Sequence, residues 1–250
     1  MIRKIFFIAA AFFILILNQA DSFAASDSGL PKTGYLSLPK NGGDSAVKSP
    51  GPALILIHEW WGLNSQIKGL ADSFAEKGYA AYAVDLYEGK SAKDPMEAHE
   101  LMRGLPEDRA YQTLKDAVAF LKSRRDVDPE KIGVIGWCMG GGYALELALQ
   151  DPSVAAVVMY YGRLVTDEKR LAGLKAPLLG FFGAEDRGIS KDSVEKFKAD
   201  LERLGVTHDI TIYPGAGHAF ANPENTEGYR PEAAADAMKK TDLFLKQHLG

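Results

Sequence analysis

The chain has 250 residues, 46% of them hydrophobic and 25% charged, the balance of a globular protein rather than a disordered or fibrous one. Its 29 Lys and Arg against 33 Asp and Glu give a formal net charge of −4, which leaves no electrostatic case for nucleic acid or an anionic membrane as partner. The single cysteine, Cys138, excludes an intramolecular disulfide and a cysteine-built metal cage.

Arg3 and Lys4 precede an unbroken apolar run of 13 residues, Ile5 to Leu17, and the small residues Ser22 and Ala24 then occupy the −3 and −1 positions of a cleavage point after Ala24. This is the plan of a secretory signal peptide. A spanning helix needs about 20 apolar residues, and no cysteine follows the run for lipid attachment. Residues 1–24 are therefore expected to be removed. That leaves one exported domain (periplasmic or secreted) over residues 25–250, without membrane contact, large enough to bury a core without disulfides.

Residues 25–50 are rich in Ser, Gly, Lys and Pro and hold one alternating stretch, Tyr35-Leu36-Ser37-Leu38, which reads as a lead-in with an edge strand. Short apolar runs follow at Ala53–Ile57, Tyr79–Val84, Ile132–Ile135, Val154–Tyr160, Leu178–Phe182 and His208–Tyr213, as expected of strands covered on both faces. Between them helical patterns fall at Gln66–Lys77, Met96–Arg103, Arg109–Arg124, Gly140–Gln150 and Lys191–Leu204, with a last one at Pro231–Leu249. The alternation predicts an α/β domain with a mostly parallel central sheet and helices on both faces. Ligands of such sheets bind beyond the carboxyl ends of the strands, so chemistry is expected in the loops that follow them.

The first such loop is His58-Glu59-Trp60-Trp61-Gly62. It is no zinc-protease helix, because H-E-x-x-H needs a second His where Gly62 stands. Further on, the strand Ile132–Ile135 runs into Gly136-Trp137-Cys138-Met139-Gly140, the strand-turn-helix pattern of a nucleophile elbow with Cys as nucleophile. Glycines two residues to either side relieve the collisions of a sharp turn, and a sulfur at a helix N-terminus meets a dipole that favours negative charge. A buried free cysteine beside a Gly-rich turn is the plainer alternative. A phosphate loop fits poorly, since neither G-x-G-x-x-G nor a G-K-[ST] ending is present.

Two further loops complete the set. Leu178–Phe182 ends in Gly183-Ala184-Glu185-Asp186, where an acid could orient a histidine. Asp186 is preferred over Glu185 because the longer reach lets the loop turn back. The last strand leads into Pro214-Gly215-Ala216-Gly217-His218, a tight loop that presents its histidine. His99 falls in a helix, His208 opens a strand and His248 is terminal, so their claims are weaker. Cys138, Asp186 and His218 follow the chain order nucleophile, acid, base. The backbone N–H groups of Trp60 and Met139 are the candidate oxyanion-hole donors, such a donor being worth about 3 kcal/mol in the transition state.

The Cys elbow, the Glu loop, Asp85-Leu86-Tyr87 after the second main strand, the later Asp and the segment His218-Ala219-Phe220-Ala221 together resemble the dienelactone hydrolase family, from about residue 33 to the C-terminus. The resemblance implies an α/β-hydrolase that opens lactones or cleaves esters through an acyl-thiol intermediate, with no metal or cofactor. It implies Cys138 as nucleophile, His218 as base and Asp186 as the acid that orients it. Glu59 matches a glutamate that contacts the resting thiol and helps deprotonate it; from the residues alone it could equally be a charged loop residue. The family holds a substrate carboxylate with two arginines, but Asn222 occupies one position and Pro95 and Met96 fall near the other. Arg103, Arg163 or Arg187 could substitute, and otherwise the departure argues against a chlorocatechol-derived dienelactone as substrate. Trp60, Trp61, Tyr160, Tyr161 and Phe220 would form an apolar acyl pocket or simply core.

The expectation is an exported hydrolase of a small ester or lactone, monomeric or weakly dimeric. Thioester hydrolysis or acyl transfer by the same triad is one alternative. A non-catalytic binding protein of this fold, with Cys138 structural or oxidant-sensing, is another.

Overall fold

The computed structural model describes residues 33–40 and 49–250; the expected signal segment, residues 1–24, lies outside them. Among the described residues, seven strands form one sheet: β1 (Gly34–Ser37), β2 (Gly51–Ile57), β3 (Ala80–Val84), β4 (Val127–Trp137), β5 (Ala156–Tyr160), β6 (Leu178–Gly183) and β7 (His208–Tyr213). Their spatial order is β1-β3-β2-β4-β5-β6-β7. β1 runs antiparallel to β3, and every other neighbouring pair is parallel. The helices are α1 (Ser65–Glu76), α2 (Pro95–Arg103), α3 (Glu107–Ser123), α4 (Met139–Gln150), α5 (Glu168–Leu171), α6 (Lys191–Arg203) and α7 (Pro231–Leu249).

Strand side chains alternate between two cores. From β2, Ala53, Ile55 and Ile57 join Leu114 of α3, Leu145 of α4 and Phe197 of α6. Leu54 and Leu56 join Ile67 and Phe74 of α1 and Leu245 of α7 on the other face. This is why the central strands read as unbroken apolar runs: both faces are covered. Each fully buried Leu or Ile contributes about 1.5–3 kcal/mol. Helix starts are fixed locally, as where Asn64 Oδ1 accepts from the Ile67 N–H at 3.1 Å and Ser190 Oγ from the Ser193 N–H at 3.2 Å, which satisfies amides left free in a first turn.

Three details depart from the sequence reading. β4 starts at Val127 rather than Ile132, because Val127 pairs with Gly51 before a bulge returns the strands to register. Val154 belongs to a turn whose amide donates to the Asp151 carbonyl, not to β5. The four-residue α5, capped by Asp167, is too short to leave a periodic pattern.

Candidate active site

Five loops leaving the carboxyl ends of β2, β4, β5, β6 and β7 bring Glu59, Cys138, Tyr161, Asp186 and His218 to one end of the sheet, where ligands of such sheets bind. Trp60, Trp61, Cys138 and His218 line a cleft of about 820 Å3 there, with Asn222 and Glu59 in its wall.

The sulfur is placed by backbone sterics. Cys138 caps α4 with φ 53° and ψ −118°, a conformation that side-chain-bearing residues rarely adopt. Its own amide donates to the Tyr160 carbonyl at 3.0 Å, and its carbonyl accepts from the Gly141 amide at 3.1 Å, so the turn is held from both sides. A Cβ at Gly136 would lie on the Gly140 carbonyl, and one at Gly140 would lie on the Ile57 and His58 carbonyls. Here the two glycines are needed for close backbone approach. Tyr161 (φ 39°) and Ala219 (φ 55°) also have positive φ and adjoin the same cleft, the clustering of strain typical of functional sites.

His218 joins the other two members of the expected triad. Its Nδ1–H donates to Asp186 Oδ2 at 2.7 Å, and its Nε2 lies 3.1 Å from Cys138 Sγ. Asp186 is buried, and its Oδ1 accepts from the amides of Gly188 (2.8 Å) and Ile189 (3.0 Å). Glu185 is exposed, so the ambiguity of the Glu-Asp pair resolves to Asp186. Burial alone would raise the Asp186 carboxyl, but the hydrogen bond and charge of His218 and the two loop amides hold it below the ordinary carboxylate range. Burial likewise opposes protonation of His218, yet the Asp186 carboxylate and the Cys138 sulfur raise its pKa to about 10.

Glu59 does not touch the thiol. Asn222 Nδ2 donates to its Oε2 at 2.6 Å and the Tyr161 hydroxyl donates to its Oε1 at 3.2 Å, while the sulfur is turned toward His218. Burial pushes the Glu59 carboxyl up, against the pull of the Asn222 and Tyr161 hydrogen bonds. The Tyr161 ring packs 5.2 Å from the His218 ring, so a chain of contacts runs from Asn222 through Glu59 and Tyr161 to the histidine. The neighbouring His58 is buried and structural. Its Nε2 accepts from the Leu86 amide at 3.1 Å and its Nδ1–H donates to the Glu59 carbonyl at 2.5 Å, and burial lowers its pKa.

The amides of Trp60 and Met139 donate to no acceptor among the described residues, and Met139 opens α4. Both are thus unengaged and close in the fold to Cys138. Trp60 and Trp61 line the cleft, whereas Tyr160 and Phe220 are core. Tyr160 donates to or accepts from Thr241 Oγ1 at 2.7 Å, and Phe220 is fully buried. The aromatic cluster therefore divides: the two tryptophans face the cleft and the others support it. Arg103, Arg163 and Arg187 do not line the cleft; Arg163 pairs with Glu107, and Arg187 lines a separate cavity beside Asp186 and His218.

The profile of the dienelactone hydrolase family matches residues 34–249. This chain belongs to the dienelactone hydrolase family. Protein usf of Aquifex pyrophilus is 34% identical to it over 229 residues, covering 89% of this chain and 96% of its own length. A Methylorubrum extorquens protein provisionally named a carboxymethylenebutenolidase is 32% identical over 252 residues, covering 93% and 84%. A Klebsiella pneumoniae crystal structure, provisionally named a dienelactone hydrolase, superposes with a TM-score of 0.76 at 28% identity and covers 86% of this chain and 92% of its own. Dienelactone hydrolase family membership makes the chain a hydrolase of esters or lactones with a mostly parallel α/β-hydrolase fold. The sequence reading missed the contact of Asn222 with Glu59 and of Tyr161 with both Glu59 and His218. Asn222 stood out in sequence as a departure, and Tyr161 only as one more aromatic.

Proposed function

We propose that the chain is an exported hydrolase that cleaves a small ester or lactone through Cys138, His218 and Asp186. The observation that carries this reading is the aligned contact pair Cys138 Sγ–His218 Nε2 at 3.1 Å and His218 Nδ1–Asp186 Oδ2 at 2.7 Å. Export rests on the composition of residues 1–24.

A His218 pKa of about 10 keeps the ring protonated at neutral pH, with Nδ1–H committed to Asp186 and Nε2–H facing the sulfur. The sulfur attacks the substrate carbonyl carbon, forming the C–S bond while the carbonyl oxygen takes up negative charge. The amides of Trp60 and Met139 are the donors placed to hold that oxyanion. Collapse breaks the bond to the leaving oxygen, which takes the Nε2 proton. The neutral imidazole then draws a proton from water, whose oxygen attacks the acyl-thiol carbon. Release of the acid returns the proton and the sulfur to their starting state. One water is consumed, and one acid and one alcohol (or one hydroxy acid from a lactone) are formed. Glu59 is a positioning residue in this scheme, bracing Tyr161 against the His218 ring.

The test is hydrolysis of 4-nitrophenyl acetate by Cys138→Ala and His218→Ala, with circular dichroism as a check on folding. The reading predicts folded proteins with activity reduced by about 10^4-fold or more. Folded variants that retain activity would overturn the triad, and a wild type without activity would favour a binding protein with an unreactive thiol.

A further inference from the structure

The cleft that holds the sulfur carries an uneven set of charges. Glu59, Glu224 and Glu227 line it against Lys93 and His218, whose ring is already committed to Asp186 and the Cys138 sulfur, and no arginine is among the described residues that do so. Glu224 and Glu227 are exposed, and Glu224 is anchored beside Glu59. The Glu224 amide donates to Asn222 Oδ1 at 2.9 Å, and Asn222 Nδ2 reaches Glu59 at 2.6 Å, so one asparagine fixes Glu224 beside Glu59. The Asn64 side chain donates to Glu224 Oε2 at 3.5 Å. Glu59 is buried, which disfavours its charged form, so the repelling charges are those of Glu224 and Glu227. Trp60, Trp61 and Met102 supply its apolar wall.

A second carboxylate on the substrate would enter this cleft against like charge and find no guanidinium to receive it. Like charges in a partly desolvated cleft repel more than in bulk water, and no bidentate partner offsets the cost. We infer that the cleft selects esters and lactones whose acyl part is uncharged, and that Glu224 and Glu227 turn away acyl groups bearing a second carboxylate. This inference rests on the ester-hydrolase reading above.

The test compares 4-nitrophenyl hexanoate with the mono-4-nitrophenyl ester of adipic acid, a pair matched in acyl length that differs in a terminal carboxylate. Each kcat/KM is divided by the rate of hydroxide hydrolysis of the same ester, at low and high NaCl. The uncharged ester should be favoured by about tenfold or more at low salt, and the preference should shrink as salt screens the exposed charges. In Glu224→Gln/Glu227→Gln the preference should fall by about threefold or more, since both repelling charges are gone. A preference for the adipate, equal rates, or a ratio unmoved by both salt and the double variant would overturn the charge inference alone. No hydrolysis of either ester would overturn the ester-hydrolase reading, and the inference with it.

Discussion

Cys138 Sγ lies 3.1 Å from His218 Nε2 across 80 positions of sequence. The contact is made by the loops that follow β4 and β7, strands that β5 and β6 separate in the sheet, and each loop holds a residue with positive φ: Cys138 itself and Ala219, next to His218. The geometry is therefore a product of backbone strain that the surrounding sheet sustains, and each element of it makes a prediction.

Asp186 is buried, accepts from two loop amides and fixes the His218 ring through Nδ1. Asp186→Asn keeps the shape but loses the charge that sets the tautomer. It should lower kcat by roughly 10^3–10^4-fold with little change in KM. Glu185→Gln, at an exposed neighbouring position, should stay within about twofold, as surface changes away from such features do. Steady-state kinetics of both variants tests which acid matters, and a larger loss at Glu185 would reverse the assignment.

A protonated His218 with a pKa of about 10 must donate to the leaving oxygen. The kcat/KM for an alkyl ester or lactone should therefore fall above about pH 10 as that proton is lost. A 4-nitrophenyl ester, whose leaving group needs no proton, should show a weaker alkaline fall. Parallel pH profiles over the alkaline range check this. Identical limbs for the two leaving groups would place the proton elsewhere.

Glu59 carries a carboxyl raised by burial. A carboxyl with a raised folded-state pKa contributes stability that is fully present below its unfolded value and is lost as pH rises through the folded value. Glu59→Gln removes that loss, so its Tm relative to the wild type should climb between pH 4.5 and pH 8. Thermal melts at several pH values measure this, and a difference that stays flat or falls would contradict the burial argument.

Gly140→Ala would set a Cβ against the Ile57 and His58 carbonyls. Backbone cannot yield as a side chain does, so the cost should reach about 1–3 kcal/mol, or a fall in Tm of several degrees for a domain of this size at about 2–4 °C per kcal/mol. Activity should fall further than stability alone explains, because the elbow and the β2 loop share that contact. Melts and kinetics on one preparation test both parts, and an unchanged Tm would deny the close approach.

Much of this was legible in the sequence, for physical reasons that differ by element. β2, β3, β5 and β6 are buried throughout most of their length, so their apolar runs stand out. The elbow is legible because only glycine fits at 136 and 140. Asp186 could be preferred over Glu185 because the loop must turn back to reach His218. The start of β4 was hidden by Asp128, Glu130 and Lys131, which face outward, and α5 by its single turn. The partners of Glu59 were hidden because Asn222 lies 163 positions away and its amide carries no periodicity. Tyr161 was masked by the aromatic run it closes, and its positive φ leaves no mark in residue type.

The central claim, that Cys138 carries the acyl group, is tested most directly by trapping it. The enzyme is mixed with excess 4-nitrophenyl acetate, quenched in acid within the first turnovers, and mapped by peptide mass spectrometry. An acetyl group on the Cys138 peptide, removed by hydroxylamine and enriched in His218→Ala if deacylation slows more than acylation, is the result this account predicts. Acetylation confined to other residues, with turnover persisting in Cys138→Ala, would contradict it.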